Sequence, residues 1–407
     1  MNFLIDDIDN LTSNCIELAQ EPGQDKKWFD HDWYTMYRNG VNYDGKRLVS
    51  WDDVDTGDIT ANYILEAKKN ISWWCGLTED GPQDNIIKAL PEKVISAIRD
   101  RKIFLCILGD MDYFPQPITI SHLQSIHDAM IEMKLPAGSV WIGVNDSKLD
   151  DVYQPFVKKN GKYFLMTYSN SNDIFTNCPK TPAVEKASKM TIARDYNSLN
   201  MRATHRHHTS YHLFTLLKSN FLKRGLVSLI DFKPEDIVDM RAYIRDKDVD
   251  IFDKIMTKYY PRLCDADRFE ASEEELPMSV YHTSLMTVVC ETTDQRPNWF
   301  STKTMKPIKG GHPFIIFGGK GTLSQLRDLG YRTELCGIDT SYDNIIDNEE
   351  RAAAAAEELD KWIKLPRTEK LKRIEESLED IKFNMNKVSL SQRTMDEMVK
   401  ASRKYFK

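Results

Sequence analysis

The stretch from Ser284 to Asp343 constrains the fold more than any other part of this chain. An apolar run ends at Glu291-Thr292-Thr293, and a Ser301-Thr302-Lys303 cluster then opens a short helix. A second apolar run, Pro313 to Phe317, ends in Gly318-Gly319 and feeds another helix. Strand, polar loop and helix start, given twice over, is the layout of a parallel sheet whose loops hold a phosphate-bearing ligand.

The same alternation recurs upstream. KIFLCILGD (102–110), SVWIGVND (139–146), KYFLMTY (162–168) and NISWWCGL (70–77) read as buried strands, and HLQSIHDAMIEM (122–133) has helical spacing. Such runs predict an α/β fold with mostly parallel sheet and helices on both faces. Residues 1–60 are polar and carry little pattern. The Asn-, Thr- and Pro-rich segment 170–188 reads as a linker. Beyond it, 190–199 reads as a strand, 210–224 as an amphipathic helix stopped by Gly225, and 226–230 as the next strand. Helical segments fill 234–262, and the loop 271–277 is acidic. The chain ends in helices: Glu349–Ile363, then one from near Pro366 whose Leu371, Ile374, Leu378 and Ile381 form an apolar stripe. At 407 residues, about two domains are expected. The expected division is an N-terminal α/β domain at 1–188, a second α/β domain at 189–348, and a helical segment at 349–407 packing across both.

Composition excludes several classes. With 41% hydrophobic and 29% charged residues, the chain reads as an ordinary soluble protein. No apolar run approaches the roughly 20 residues of a membrane helix, and the acidic MNFLIDDIDNLTSN start is not a signal peptide. The scattered cysteines (15, 75, 106, 178, 264, 290, 336) form no CxxC pair and several lie in apolar runs, which favours reduced thiols and a cytoplasmic location. The net charge of −7 is uneven: 13 Lys/Arg against seven Asp/Glu give residues 361–407 a net of +6, leaving −13 elsewhere. That tail is either a solvated helix face or a surface for a polyanion such as DNA.

Four clusters carry possible chemistry. Asn200 to Thr209 places Arg202, His205 and Arg206 between a strand end and a helix start, where an anion is favoured and arginine forks grip phosphate. His208 and His212, at i, i+4 spacing, open a metal reading, though no HExxH-type carboxylate completes it. A solvated basic helix start is the third reading. In the second cluster, Glu291 ends a strand where a carboxylate reaches ribose hydroxyls, and Ser301, Thr302, Lys303 and Lys306 lie at a helix start suited to a diphosphate. The alternative is that Ser301 simply caps the helix and the lysines are surface charge. Asn298, Trp299 and Phe300 are either a ring-stacking wall or a hydrophobic staple. The third cluster, GGHPFIIFGGKGT (310–322), has neither a Walker A lysine nor a GxGxxG fingerprint, so its glycines serve tight turns or close approach to a ligand. In the fourth, Asp110 and Asp112 follow the strand KIFLCIL, where a general base or a metal-holding Asp-x-Asp pair can sit; turn-forming aspartates are the plainer reading. Asp146 is a weaker candidate of the same kind.

These blocks resemble a known enzyme class. RATHRHH before a helix with GLVSL after it, followed by SLMTVVCETT…FSTKTMKPIKGGHPFIIFGGKGTLSQLRDLGYRT…IDTSYD, is similar to the donor domain of phage-borne glycosyltransferases and to the nucleotide-sugar half of fucosyltransferase-like GT-B enzymes. The resemblance spans about residues 190–350. It implies two Rossmann-like domains facing across a cleft, with a nucleotide diphosphate-sugar (UDP- or GDP-linked) in the C-terminal one and the acceptor in the N-terminal one. It implies that Lys303 and either Arg202 or Arg206 neutralise the diphosphate, with no cofactor required and no divalent metal expected. The family often places Ser-Glu-Lys or Thr-Glu-Lys at the lysine; here Thr302 replaces the ribose-binding glutamate, so either Glu291 takes its place or the donor nucleotide is held differently. The phage kinship further implies a host-cytoplasmic enzyme, with hydroxymethylcytosine in DNA as one acceptor. A metal-dependent GT-A-like transferase acting on glycan or lipid, or a degenerate nucleotide- or nucleic-acid-binding module, are the alternatives.

Overall fold

A computed structural model describes residues 2–4, 47–49, 61–67, 85, 87–88, 90–109, 118–144, 148–168, 177–191, 193–202, 224–230, 241, 244, 248–259, 275–292, 294, 297–388 and 390–407. The chain divides into two compact units. Residues 1–174 with 388–407 form the first, and residues 175–387 the second.

The first unit holds β1 (Asn2–Leu4), β2 (Arg47–Val49), β3 (Ala61–Ala67), β4 (Ile103–Gly109), β5 (Val140–Val144) and β6 (Leu165–Tyr168). They pair in the order β2-β1-β3-β4-β5-β6, all parallel. The described helices before the unit boundary are α1 (Glu92–Arg99), α2 (Ile120–Glu132) and α3 (Leu149–Asn160). Alternate residues of β4 and β5 (Ile103, Leu105, Ile107; Val140, Ile142, Val144) join Val94, Ile98, Leu123, Met130 and Phe156 in one core. The side chains between them, Phe104, Cys106 and Trp141, are equally buried. A strand covered on both faces must be apolar at every position, which is why these segments read as continuous runs.

The second unit contains α4 (Ala183–Ser188), β7 (Tyr196–Arg202), β8 (Gly225–Ile230), α5 (Val249–Tyr259), α6 (Met278–Tyr281), β9 (Thr287–Cys290), α7 (Thr302–Gly310), β10 (Phe314–Phe317), α8 (Thr322–Asp328), α9 (Asn348–Lys364) and α10 (Arg367–Asn386). Its sheet runs β10-β9-β7-β8, again parallel. α10 lies on α7 and α4. On the expected stripe Ile374 and Ile381 are buried while Leu371 and Leu378 are half-buried. The last helix, α11 (Leu390–Tyr405), returns to the first unit and lies against β4, β5 and β6. Phe104 there meets Tyr405 at 5.5 Å between ring centroids, and the Tyr405 hydroxyl donates to Ile98 O at 2.9 Å.

Several expectations change. Within 349–407, α9 and α10 belong to the second unit and α11 to the first. The proposed linker contains α4, because Pro182 presets the first turn and Ala183, Val184 and Ala187 are buried. The first long central strand is β3 at 61–67; residues 70–77 and 210–223 lie outside the described set. Gly225 opens β8, where an added Cβ would fall 2.2 Å from the Tyr196 ring; close approach explains it. Among the described cysteines, Cys106 and Cys336 are buried free thiols.

Candidate functional site

The second unit's sheet reverses its direction of growth at one place. From β7 the chain steps outward to β8, then returns to the other side of β7 for β9 and continues to β10. The carboxyl ends of β7 and β9 flank that switch point, which is where open parallel sheets form a ligand crevice. Arg202 is the last residue of β7, Glu291-Thr292 follow β9, and Gly318-Gly319 follow β10. Topology therefore brings three of the sequence clusters to one sheet edge. His205 and Arg206 lie outside the described residues.

Glu291 organises this edge. It is fully buried, and its carboxylate accepts from Ser301 N at 3.0 Å, Ser301 Oγ at 2.7 Å, Thr304 Oγ1 at 2.5 Å and Thr292 N at 3.1 Å. Four donors occupy both oxygens, so Glu291 anchors the start of α7, and the ribose role expected of it is not what these bonds serve. Ser301 is the N-cap: its Oγ accepts from Lys303 N at 3.2 Å. Lys303 Nζ donates to Thr292 Oγ1 at 3.2 Å, which folds the amine back toward the end of β9. Thr302 is half-buried at the first helical position. Lys306 is buried, 6% exposed, on the core face of α7 and is not a surface charge. Trp299 and Phe300 are 4% and 1% exposed, so they are core residues; Phe300 and Met305 hold the two positions of a hydrophobic staple, and no stacking wall is presented.

The loop after β10 is tied to the loop after β9. Asn298 N donates to Lys320 O at 2.8 Å, and Thr322 Oγ1 donates to Trp299 O at 2.9 Å. Both loops turn through left-handed residues, Asn298 at φ 54° and Gly321 at φ 79°. A Cβ on Gly318 would sit 3.2 Å from Glu291 Cγ, so the two strand ends pack closely. Asp343 caps α8 from outside, accepting from Leu323 N at 3.0 Å and Ser324 N at 2.8 Å. Burial pushes its carboxyl pKa up, while those N–H groups and the charges of Arg327 and Arg351 pull it back. Arg351 is 3% exposed and donates to Gly318 O at 2.9 Å, Ile345 O at 2.8 Å, Ile346 O and Asp294 O at 3.2 Å, and Asn348 Oδ1 at 2.5 Å. Burial lowers its pKa, opposed by Asp294, Asp343 and Asp347.

Sequence reasoning missed Arg351 and Asp343. A signal existed for the first: a cation in the first turn of α9 opposes the helix dipole and needs a compensating partner.

In the first unit, Asp110 and Asp112 lie outside the described residues, as does Asp146. β4 ends at Gly109, and the switch point of that sheet falls between β1 and β3, one strand away from it. His208 and His212 are likewise outside the described set. The basic tail is largely paired internally. Lys361, Lys364, Lys370, Lys372, Arg373, Lys382 and Lys400 all face carboxylates within 4 Å. No helix among the described residues is long and apolar enough to cross a membrane.

No protein-family profile matches the sequence. No curated protein matches it either. Solved structures do match. A UDP-forming α,α-trehalose-phosphate synthase from Burkholderia vietnamiensis is 11% identical with a TM-score of 0.44, covering 85% of this chain and 72% of its own. The trehalose-6-phosphate protein from E. coli bound with UDP-2-fluoro glucose is 10% identical with a TM-score of 0.43, covering 86% and 75%. The Candida albicans trehalose-6-phosphate phosphatase N-terminal domain is 9% identical with a TM-score of 0.43, covering 98% and 96%. At these identities and scores the likeness says nothing of substrate.

Proposed function

We propose that this protein is a glycosyltransferase of GT-B type that takes a sugar from a nucleotide diphosphate-sugar and passes it to a hydroxyl acceptor. The observation that carries the reading is the edge of the second unit's sheet: a capped helix start bearing Lys303 beside a topological switch point, with Arg202 at the end of the strand across it. A helix N-terminus and a fixed ammonium stabilise the negative charge that grows on a departing diphosphate. The donor nucleotide is UDP or GDP. Arg202, His205, Arg206, Ser301, Thr302 and Lys303 are the donor-side residues in this reading. With its oxygens occupied, Glu291 supports them from behind.

In the reaction, Asp110 or Asp112 of the first unit removes the acceptor's hydroxyl proton. The oxygen attacks the anomeric carbon as the bond to the diphosphate breaks, and the diphosphate leaves with the electron pair. A direct displacement of this kind inverts the anomeric centre. No metal or other cofactor enters the reading. Hydroxymethylcytosine in DNA is the specific acceptor to try, on the strength of the phage-type sequence blocks.

The test has two parts. Calorimetric titration with UDP and GDP examines the donor site; heat with neither nucleotide sinks the reading. Incubation with UDP- and GDP-sugars and hydroxymethylated DNA, followed by digestion and nucleoside mass measurement, examines the acceptor. Donor hydrolysis without any gain in nucleoside mass removes DNA and keeps the transferase. Nucleotide binding with neither hydrolysis nor transfer converts the protein into a binding module.

A further inference from the structure

Arg351 grips peptide oxygens on one side of the sheet edge, and a trans peptide points its carbonyl and the following N–H in opposite directions. The bond from Arg351 Nε to Gly318 O, 2.9 Å, therefore turns the N–H of Gly319 away from the guanidinium. Gly319 N–H has no acceptor among the described residues. The same side chain reaches Asp294 O in the loop after β9, and Ile345 O and Ile346 O in the loop before α9. One buried cation thus ties three loops together. Gly318 itself packs against Glu291, the residue that holds Ser301 and the start of α7. The Gly319 donor and the Lys303 helix start therefore share one support.

We propose that Arg351 is a positioning residue that presents the Gly319 N–H as a phosphate donor in the nucleotide-sugar site. It touches no ligand itself. The proposal rests on the glycosyltransferase reading above, and it names one specific donor in the glycine cluster, beyond what the capped helix start supplies. An amide fixed on the side away from a buried guanidinium is a pre-organised dipole, which needs no reorganisation when the anion arrives.

The sequence offers an unusually clean readout. Only two Gly-Gly pairs occur, at 310–311 and 318–319. Protein labelled with carbonyl-13C, 15N-glycine therefore gives two carbonyl-to-amide correlations, those of Gly311 and Gly319. Gly311 N is bonded within the chain to Ile308 O at 3.2 Å and is the internal reference. On adding UDP or GDP to the wild type, the Gly319 correlation should move and the Gly311 correlation should stay. In Arg351→Lys, which keeps the buried charge, the Gly318–Gly319 correlation should move before any ligand is added, and nucleotide affinity should fall about tenfold. The Gly311 peak in its wild-type place shows that the variant is folded. Nucleotide binding that leaves Gly319 unmoved overturns the proposal and spares the donor site. A wild type that binds neither nucleotide overturns both. Unchanged affinity in Arg351→Lys, with the Gly319 peak shifted, overturns the positioning role alone.

Discussion

Ser301 meets Glu291 twice, its N–H at 3.0 Å from Oε1 and its hydroxyl at 2.7 Å from Oε2. The same hydroxyl oxygen then accepts from Lys303 N. A carboxylate at the end of one strand thereby fixes where the next helix begins, and with it where Lys303 stands.

Glu291→Gln should lower stability by about 1–3 kcal/mol, because an amide offers one acceptor oxygen where the carboxylate offers two and turns its NH2 toward donors. Urea unfolding measures this. An unchanged midpoint would show that the carboxylate does not anchor α7.

Lys303→Ala should leave the unfolding midpoint nearly in place and weaken UDP or GDP binding about tenfold or more. Titration calorimetry distinguishes the two effects. Affinity equal to the wild type would remove Lys303 from the donor site.

His312 makes stability depend on pH. Its Nε2 lies 2.8 Å from Ser284 O, a pure acceptor, so Nε2 carries the proton and Nδ1 accepts from Thr287 Oγ1 at 2.9 Å. Burial lowers its pKa from 6.5 to about 4. Between those values the unfolded chain takes up a proton that the folded one refuses, so stability falls as pH drops from about 6.5 to about 4. The full loss is on the order of 3 kcal/mol. His312→Gln should flatten that part of the slope when unfolding is followed across the range. An identical slope in the variant would assign the acid sensitivity to other groups.

Gly311→Ala should cost more than Gly138→Ala. Both glycines are left-handed, at φ 68° and φ 78°. An added Cβ meets Pro182 Cα at 2.5 Å in the first and nothing within 4 Å in the second. The backbone penalty of about 1–2 kcal/mol is common to both, so the difference between the two unfolding free energies isolates the contact with α4. Equal costs would mean that Pro182 yields freely.

The sequence made the parallel strands legible because strands buried on both faces must be apolar throughout, as 103–109, 140–144 and 314–317 are. Ser301 was readable as a cap, since hydroxyl residues are strongly favoured there. Which role Glu291 plays was not readable: a buried carboxylate and one facing ribose look alike until Thr304 and Ser301 are seen to close around it. Lys306 read as a diphosphate contact or as surface charge because five residues of α7 (Thr302, Lys303, Thr304, Lys306 and Lys309) carry polar side chains, and only the packing of α10 against α7 shows which face is inside. Arg351 was hidden because its partners are backbone carbonyls, which no composition or spacing records.

The return of α11 to the first unit has a consequence for biosynthesis. Residues 175–387 can complete their core while the chain is still being made, because all the elements of that unit are contiguous. The unit begun first must wait for its last element, since Phe104 meets Tyr405 and α11 lies on β4, β5 and β6. A nascent chain that has emerged from the ribosome as far as residue 387 therefore holds every element of the second unit and a first unit still without α11. The unit that starts first is thus completed after the one that starts second.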